Sequence, residues 1–492
     1  MKLLITHSYF YKLDAKQWRF KQPYPPLGTI LAASVLRNTG HEVIFFDTNL
    51  RDTPDEILPV LASEKPDCVI IYDDGFNYLT KMCLTNMREA AFKMAEASKK
   101  LGCIVIVSSS DAADHYKKYF DHGVDFVVKG EGEATLRELI ISLEKGLDTT
   151  LLPGLVYKKN GEAISTPARP VIRDVDELPL PAWDLVDIDS YRKIWERHHG
   201  YFSLNLATTR GCPFKCNWCA KPIYGNRYTS RSPGHVAGEV EALLKAYSPD
   251  HFWMSDDIFG LKPGWVQEFA EVVNQKGLKF KYKIQSRVDL LLQEDTLDAL
   301  VRSGVETVWV GAESGAQKIL DAMDKGTTVE QIYEATRLMK EKGIRVGFFI
   351  QFGYLGETRE DIDSTLKMIL ELMPDEMGIS VSYPLPGTKF YEVVKDQLKE
   401  KQNWTDSDDL AMMFRSTYSS EYYKQLHQYI HAVYRKHKGY ASLRKLFQRP
   451  LRLNHREVRS GRATFYYIPT SFARRLRLEE LERTSYHAAN EF

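Results

Sequence analysis

The chain has 492 residues, 43% of them hydrophobic, and carries 66 Lys+Arg against 66 Asp+Glu. This length suits two or three domains, and the hydrophobic fraction excludes wholesale disorder. The zero net charge gives no overall attraction to nucleic acid or to a membrane. The first 13 residues lack the apolar core of a signal peptide, and no apolar run reaches the roughly 18–20 residues of a membrane span. We therefore expect a cytoplasmic protein without a transmembrane segment.

Residues 1–148 alternate short β-rich runs with helical patterns. Strands are predicted at MKLLITH, HEVIFFD, DCVIIYD, CIVIVSS and VDFVVKG. This βαβα rhythm is typical of a parallel, doubly wound, Rossmann-like sheet. Sheets of this kind bind ligands at the carboxyl ends of their strands.

Residues 149–194 break this rhythm. PGLVYKKNGEAI predicts a hairpin that turns at Asn160 and Gly161. The following segment, rich in Pro and acidic residues, has no periodicity and is predicted as a linker.

From residue 195 to 400 the alternation resumes with six β/α repeats, for example SLNLATT, HFWMSD and VETVWVGA with intervening helices. We expect a partial (β/α)6 TIM barrel, whose active site would gather at the carboxyl ends of its strands. Residues 401–492 are predicted to be a helical region with a basic tail, because residues 435–475 carry about a dozen Lys and Arg and one acid, Glu457. A basic helical face exposed to solvent and a site for an anionic substrate are both open interpretations of this tail.

Three of the six cysteines are clustered directly after the first barrel strand. Cys212, Cys216 and Cys219 have the spacing C-x3-C-x2-C in GCPFKCNWC, and no fourth cysteine follows nearby. Thiolates are the usual ligands of cluster irons, so three thiolates on a four-iron cluster leave one iron open to another ligand. A closed zinc site is the main alternative, and three unrelated thiols are the other. The histidines near enough in sequence to complete a zinc site are His198, His199 and His235.

GCPFKCNWC resembles the signature of the radical S-adenosylmethionine (SAM) superfamily, C-x3-C-x-aromatic-C. Further motifs in the family's order are DD-x-F at residues 256–259, SRVD at 286–289, GAESG at 311–315 followed by DKGTT, and PLPGT at 384–388. PPLGTILAASVLRNTGHEV, VDFVVKGEGEATL and LPLPAWDL resemble the family's cobalamin-binding domain and its linker. The resemblance covers about the first 400 residues. NWTDSDDLAMMFRSTY looks like the C-terminal region of the branch of the anaerobic magnesium-protoporphyrin monomethyl ester cyclase.

The resemblance implies a [4Fe–4S] cluster on the three cysteines, at which SAM is reductively cleaved to a 5′-deoxyadenosyl radical. With cobalamin, this radical would serve the methylation or the oxidative, cyclising modification of an organic metabolite. The implied partners are a small-molecule substrate and an external electron donor such as flavodoxin or ferredoxin. No nucleic acid is expected.

The resemblance also implies cofactor contacts for individual residues. Trp218 would flank the SAM adenine, and the residues expected to face the rest of the cofactor are Ser286, Arg287, Glu313, Ser314 and Asp256. An ion pair between Arg287 and Glu313 is the alternative for those two residues. Helix capping or a loop turn is the alternative for Asp256.

Cobalamin binding is expected, although two features depart from the family pattern. The first domain has no D-x-H-x-x-G motif, and residues 108–111 read Ser-Ser-Ser-Asp where relatives carry a Gly-Gly-Pro-His type loop. Glycines let a backbone approach a bulky ligand, whereas serine and aspartate side chains crowd it. The alternative is a degenerate domain that serves packing or shapes the substrate cavity.

Two other functions are alternatives to this interpretation. A tRNA or protein methylthiotransferase carries a second set of three cysteines in its N-terminal domain, but Cys68, Cys83 and Cys103 are dispersed, and two of them lie in apolar runs. A zinc-stabilised, non-catalytic binding protein would hold one zinc and no sulfide.

Overall fold

The computed structural model describes residues 1–77, 80, 85–221, 223–398, 410, 412–448 and 455–490. Two compact units divide the chain. The first unit comprises Met1–Pro213, Lys221–Gln285 and Ala299–Glu306, and the second unit comprises Phe214–Ala220, Ser286–Asp298 and Thr307–Phe492.

The first unit begins with a seven-stranded sheet in the order β2-β1-β3-β4-β5-β6-β7. Strands β1 to β5 are parallel, and β6 and β7 are antiparallel. A parallel sheet that is covered on both faces needs continuous apolar strands, which explains runs such as CVIIY in β3. The strands are β1 (Lys2–Thr6), β2 (Glu42–Phe46), β3 (Cys68–Tyr72), β4 (Ile104–Ser108), β5 (Phe126–Val128), β6 (Leu155–Lys159) and β7 (Glu162–Ser165).

Helices pack against this sheet and form two apolar clusters with it. One cluster includes Val69, Ile71 and Met94, and the other includes Ile70, Ala32 and Leu139, so alternate residues of β3 supply opposite faces. The predicted Rossmann-like, doubly wound fold is therefore confirmed. The helices are α1 (Ala15–Phe20), α2 (Leu27–Arg37), α3 (Ile57–Glu64), α4 (Thr85–Lys100), α5 (Ser110–Asp121), α6 (Glu133–Glu144) and α7 (Ile188–His199).

The hairpin predicted at Asn160 and Gly161 forms between β6 and β7. Both turn residues have positive φ, 53° and 84°, as a tight hairpin turn requires. Strand β6 pairs with β5, so the first sheet continues to Ser165, beyond residue 148. Whether residues 149–194 act as a linker between domains stays a prediction.

The first unit also contains the first barrel strands. β8 and β12 each pair in parallel with β11, and β9 pairs with β10 in a short antiparallel ladder. These elements are β8 (Ser203–Leu206), β9 (Thr209–Arg210), β10 (Thr229–Ser230), α8 (Pro233–Tyr247), β11 (His251–Met254), α9 (Trp265–Gln275) and β12 (Lys281–Ser286).

The second unit continues the β/α alternation with three parallel strands in the order β13-β14-β15. The β/α repeats of the two units are the parallel half-barrel that the sequence predicts. The elements from here to residue 394 are α10 (Val288–Leu291), α11 (Thr296–Ser303), β13 (Val305–Glu313), α12 (Gln317–Ala322), α13 (Val329–Glu341), β14 (Arg345–Phe352), α14 (Arg359–Leu372), β15 (Glu376–Val381) and α15 (Lys389–Val394).

Two long helices, α16 (Ser420–Gln448) and α17 (His455–Asn490), end the second unit and pack against each other. Gly439 allows this close approach, because a Cβ atom there would overlap the side chain of Thr464. The predicted helical C-terminal region is thus confirmed where it is described, although residues 403–409 and 411 of the cyclase-like segment lie outside the described residues. Within the described ranges, no helix is both long enough and apolar enough to cross a membrane.

Candidate active site

The cysteine motif begins in the first unit, directly after β9. Gly211 precedes Cys212 with a φ of 73°, and a Cβ atom at this position would overlap the backbone of Arg227. Only glycine satisfies both conditions, which explains the Gly-Cys pair. Cys212 is half-buried and forms no disulfide.

Cys216 and Cys219 lie in the second unit, on a loop that Asn217 anchors. The Asn217 side chain donates to the Ala322 carbonyl (2.6 Å) and accepts from the Tyr354 hydroxyl (2.7 Å). Its backbone N–H donates to Met323 O (3.0 Å), and its carbonyl accepts from the Phe390 N–H (3.0 Å). The residue between the two half-buried cysteines is therefore fixed on four sides, a role that the sequence pattern did not reveal.

Trp218 packs beside an apolar cluster that includes Ile319, Met323 and Phe390. Its indole Nε1–H is buried and has no hydrogen-bond partner among the described residues. A buried donor without an acceptor is costly in a folded protein unless a ligand supplies the acceptor. The indole edge is thus suited to a cofactor atom that accepts a hydrogen bond.

The end of β13 holds a buried ion pair between Glu313 and Lys325, with 2.8 Å between Oε1 and Nζ. Glu313 has a φ of 55° beside an irregularity in the strand register, and Gly311 leaves the space in which the pair lies. Burial acts to lower the pKa of Lys325, but the charges of Glu313 and Cys216 oppose this and raise it overall. Lys325 is therefore a cation close to Cys216.

Arg287 has partners other than Glu313. Its Nε and Nη2 donate to the Asp289 carboxylate at 3.0 and 3.1 Å, and its Nη1 donates to Lys325 O at 2.8 Å. The guanidinium also stacks over the Phe214 ring, 3.7 Å from its centroid. Arg287 and Glu313 therefore do not form one ion pair with each other. Arg287 pairs with Asp289, and Glu313 pairs with Lys325 of the DKGTT motif.

Ser286 and Ser314 are buried at the ends of β12 and β13. The Ser314 hydroxyl lies 3.1 Å from that of Thr365 and accepts from the Ala316 N–H at 3.2 Å. These bonds give Ser314 a role in joining the strand end to α14.

Asp256 belongs to the first unit and is buried at the end of β11. Its carboxylate accepts from the backbone N–H and the hydroxyl of Thr208 (2.7 and 2.8 Å) and of Thr209 (2.6 and 2.9 Å). Burial raises the pKa of Asp256 to about 6, against the lowering effect of these bonds. The carboxylate therefore holds the turn between β8 and β9, in agreement with the structural alternative for this residue.

A pocket within the first unit opens at the carboxyl ends of β3 and β4. Its cavity volume is only about 20 Å³, and its lining includes Tyr72, Asp73, Ser108 and Glu133. The Oε2 atom of Glu133 is buried and has no hydrogen-bond partner in the described part of the chain. The position matches the ligand edge of an open parallel sheet.

The serine-rich loop beside this pocket is bonded to its own surroundings. The Ser109 hydroxyl accepts from the Ala112 N–H at 3.0 Å and caps α5. Both oxygens of the Asp111 carboxylate accept from one edge of the Arg88 guanidinium, Nε and Nη2, and the carboxylate also accepts from the Tyr119 hydroxyl at 2.8 Å. These side chains therefore stabilise the loop, and Glu133 remains as the buried polar group whose oxygen is open to a ligand.

Arg210 lies two residues before Cys212 and is buried in the first unit. Its guanidinium bonds Glu131 and, at 2.8 Å, Glu133, and it lies 5.6 Å from the ring centroids of both Phe76 and Tyr224. The loop of residues 130–133, which links β5 to α6, is thereby tied to the strand that leads into the cysteine motif. The sequence signal for this contact was a charged residue inside a buried strand.

The other cysteines differ from those of the motif. Cys68 and Cys103 are buried, and burial raises the pKa of each thiol, so their thiolate forms are disfavoured. Cys83 lies outside the described residues. The described residues contain no set of three His, Cys, Asp or Glu side chains around a single metal position.

Two family profiles match the chain. The profile of the radical SAM superfamily matches residues 206–369, and that of the B12-binding domain matches residues 19–140.

Similar proteins include an uncharacterized methyltransferase of Pyrococcus horikoshii, which is 30% identical over 388 residues, covering 77% of this chain and 81% of that protein. The anaerobic magnesium-protoporphyrin IX monomethyl ester cyclase of Rubrivivax gelatinosus is 26% identical and covers 82% of this chain and 72% of its own length. The hopanoid C-3 methylase of Methylococcus capsulatus is 27% identical, and the alignment covers 85% of this chain and 78% of that protein.

Two solved structures have a similar fold. The radical SAM methyltransferase TsrM from Kitasatospora setae, with cobalamin and a [4Fe–4S] cluster bound, has a TM-score of 0.66 at 20% identity and covers 81% of this chain and 75% of that one. The cobalamin-dependent radical SAM enzyme OxsB with aqua-cobalamin bound has a TM-score of 0.71 at 19% identity, and the match covers 98% of this chain and 72% of that one. At these identities the likeness concerns the fold alone.

Proposed function

This chain belongs to the radical SAM superfamily, in the subgroup with an N-terminal B12-binding domain, and from this membership we propose that it is a cobalamin-dependent enzyme that methylates an organic small molecule. The observation that carries the proposal is the cysteine motif itself, with Cys212 set by a glycine turn and Cys216 and Cys219 set by the anchored Asn217. A second candidate is oxidative ring formation, favoured by the similarity to the cyclase over 82% of the chain.

The donor set suits an iron–sulfur cluster. Three thiols outside any disulfide, one of them beside the cation of Lys325, provide the thiolates that cluster irons require. A [4Fe–4S] cluster on Cys212, Cys216 and Cys219 would supply the single electron that cleaves SAM. The role of the chain is to hold the three thiolates, with Lys325 and its partner Glu313 keeping their surroundings charged and ordered.

We assign SAM contacts to the second unit. Trp218 would flank the adenine and donate from its open Nε1–H, and Glu313 would lie near the polar part of the cofactor. Arg287 would act indirectly, because its donors hold Asp289 and the 325–326 backbone. Ser286, Ser314 and Asp256 stay predictions as cofactor contacts, and the hydrogen bonds of Ser314 and Asp256 described above favour positioning roles.

We assign cobalamin, which carries methyl groups in such chemistry, to the carboxyl edge of the first sheet. The pocket there offers the open Oε2 of Glu133 and the polar ends of β3 and β4. An external electron donor such as flavodoxin or ferredoxin would complete the system, and the substrate would be a small organic molecule.

The test supplies SAM labelled on its methyl group, a reductant and cobalamin to anaerobically prepared protein, with extracts of candidate metabolites as substrate. The proposal expects 5′-deoxyadenosine together with label in a product. Substituting Cys216→Ala should abolish both, whereas Cys103→Ala, which lies outside the motif, should abolish neither. Deoxyadenosine with an oxidised, unlabelled product would favour ring formation, and no deoxyadenosine under any condition would contradict the proposal.

A further inference from the structure

The last helix, α17, exposes a stripe of large apolar side chains. Phe465 is 71% exposed and Phe472 is 64% exposed, and further exposed apolar residues lie before, between and after them along the helix. Spacings of three, four and seven residues place its members on one side of the helix. The stripe consists of Val458, Phe465, Ile468, Phe472 and Leu476.

The buried side of α17 is less apolar than this exposed side. Thr464, Ser471 and Leu478, spaced by seven residues, are buried, and Thr464 lies against Gly439 of α16. A helix on the surface of a globular protein normally directs its large apolar residues inward. In α17 the order is reversed, so the exposed stripe serves something other than packing within this unit.

Arginines accompany the stripe. Residues 458–478, between Glu457 and Glu479, contain five arginines and no acidic residue. Two of these arginines, Arg475 and Arg477, pair with Glu479 and Glu480 at 2.9 and 2.6 Å. Arg462 and Arg475 lie three residues from Phe465 and Phe472 respectively, so basic groups flank the apolar side chains. Exposed apolar and basic groups along one helix are typical of helices that lie in the interface of a membrane.

The positive charge of α17 distinguishes between three partners that could cover the stripe: a second copy of this chain, nucleic acid and a lipid surface. A second copy seated on this stripe would bring the arginine-rich segments of the two helices together, and like charges repel at close range. Nucleic acid would satisfy the arginines but not the aliphatic Val458, Ile468 and Leu476. A lipid surface with anionic headgroups matches both features, because its acyl region accepts the apolar stripe and its headgroups attract the arginines.

We propose that the exposed face of α17 docks the enzyme onto anionic lipid membranes. The helix lies in the plane of the headgroups with Phe465 and Phe472 inserted and the arginines at the level of the lipid phosphates. The inference rests on α17 alone and is independent of the chemistry proposed for the cysteine motif.

The test is co-sedimentation of the full-length, anaerobically prepared protein with phosphatidylcholine vesicles, with and without 30% phosphatidylglycerol. We expect binding to the anionic vesicles that weakens as salt rises. The double substitution Phe465→Ser and Phe472→Ser should reduce the partition coefficient at least tenfold, and removal of Arg459 and Arg462 should reduce it about fivefold for each charge. Both sites are exposed, so the fold should persist, as circular dichroism can check.

The matched control is Val393→Ser, which removes an equally exposed apolar side chain (67%) from α15. The control should bind like the unsubstituted protein. No binding to anionic vesicles, or equal binding by the double variant, would overturn the proposal. A dimer that dissociates in the double variant, without vesicle binding, would overturn it in favour of a second copy.

Discussion

Arg210 and Glu133 are 77 residues apart in the sequence, yet the guanidinium Nη2 lies 2.8 Å from the carboxylate Oε1 in the interior of the first unit. Both side chains are almost fully buried. The strand leading to the cysteine motif and the loop at the edge of the first sheet are thus joined by charge, and Glu131 is a second acceptor for the same arginine.

Replacing Arg210 should destabilise the first unit strongly. Arg210→Met leaves two buried carboxylates without a cation, and breaking a buried pair in this way costs about 3–5 kcal/mol. Arg210→Lys keeps the charge but loses the planar guanidinium that bonds Glu131 and Glu133 together. The free energy of unfolding should therefore fall less in this variant than in Arg210→Met. Urea denaturation of the protein measures both. The exposed Arg337 pairs with Glu334 and Glu341, and Arg337→Met is the control that should change little.

Glu357 should make stability fall as the pH rises. Its side chain is buried and accepts from the Gly353 N–H at 2.6 Å, and burial raises its pKa from 4.5 to about 8. Between these values the folded state keeps a proton that the unfolded state releases, so unfolding is increasingly favoured from pH 4.5 to pH 8.

Glu357→Gln mimics the protonated form and should remove this dependence. Relative to the unsubstituted protein, the variant should gain more thermal stability at pH 8 than at pH 5. Glu360→Gln, at an exposed position in the first turn of α14, is the control. An identical pH dependence in the Glu357→Gln variant would show that the carboxyl ionises normally in the folded protein.

Trp218→Phe tests the open indole donor. The ring and its packing remain, but the Nε1–H is lost, so affinity for SAM should fall about three- to tenfold while iron content is unchanged. Titration of the reduced protein with SAM, followed by EPR, measures this. Trp18→Phe in the first unit should leave the affinity unchanged. Unaltered affinity in Trp218→Phe would mean that the donor finds no acceptor on the cofactor.

Asn217→Asp tests the anchor of the cysteine loop. An aspartate cannot donate to the Ala322 carbonyl and would oppose it with negative charge, so the loop should loosen. We expect the variant to retain less than half of the iron after reconstitution and desalting. Asn274→Asp, exposed on α9, should retain all of it. Full retention of iron by the Asn217→Asp variant would contradict the anchoring role of Asn217.

The sequence predicts the strands, the hairpin and the cysteine motif well because each depends on local patterns. Apolar runs such as CVIIY, the Asn160-Gly161 turn and the Gly211-Cys212 pair carry their structural requirement in adjacent residues. Partners distant in the chain carry no such signal. The pairing of Glu313 with Lys325 rather than Arg287, and the four-sided anchoring of Asn217, depend on loops that only the folded chain brings together.

The most direct test of the central claim is the iron and sulfide content of the reconstituted protein, combined with EPR of the reduced form with and without SAM. We expect about four irons and four sulfides per chain. We also expect a cluster signal that shifts when SAM is added and disappears in Cys212→Ala, Cys216→Ala and Cys219→Ala. One zinc per chain without sulfide, or a cluster signal indifferent to SAM, would contradict the central claim.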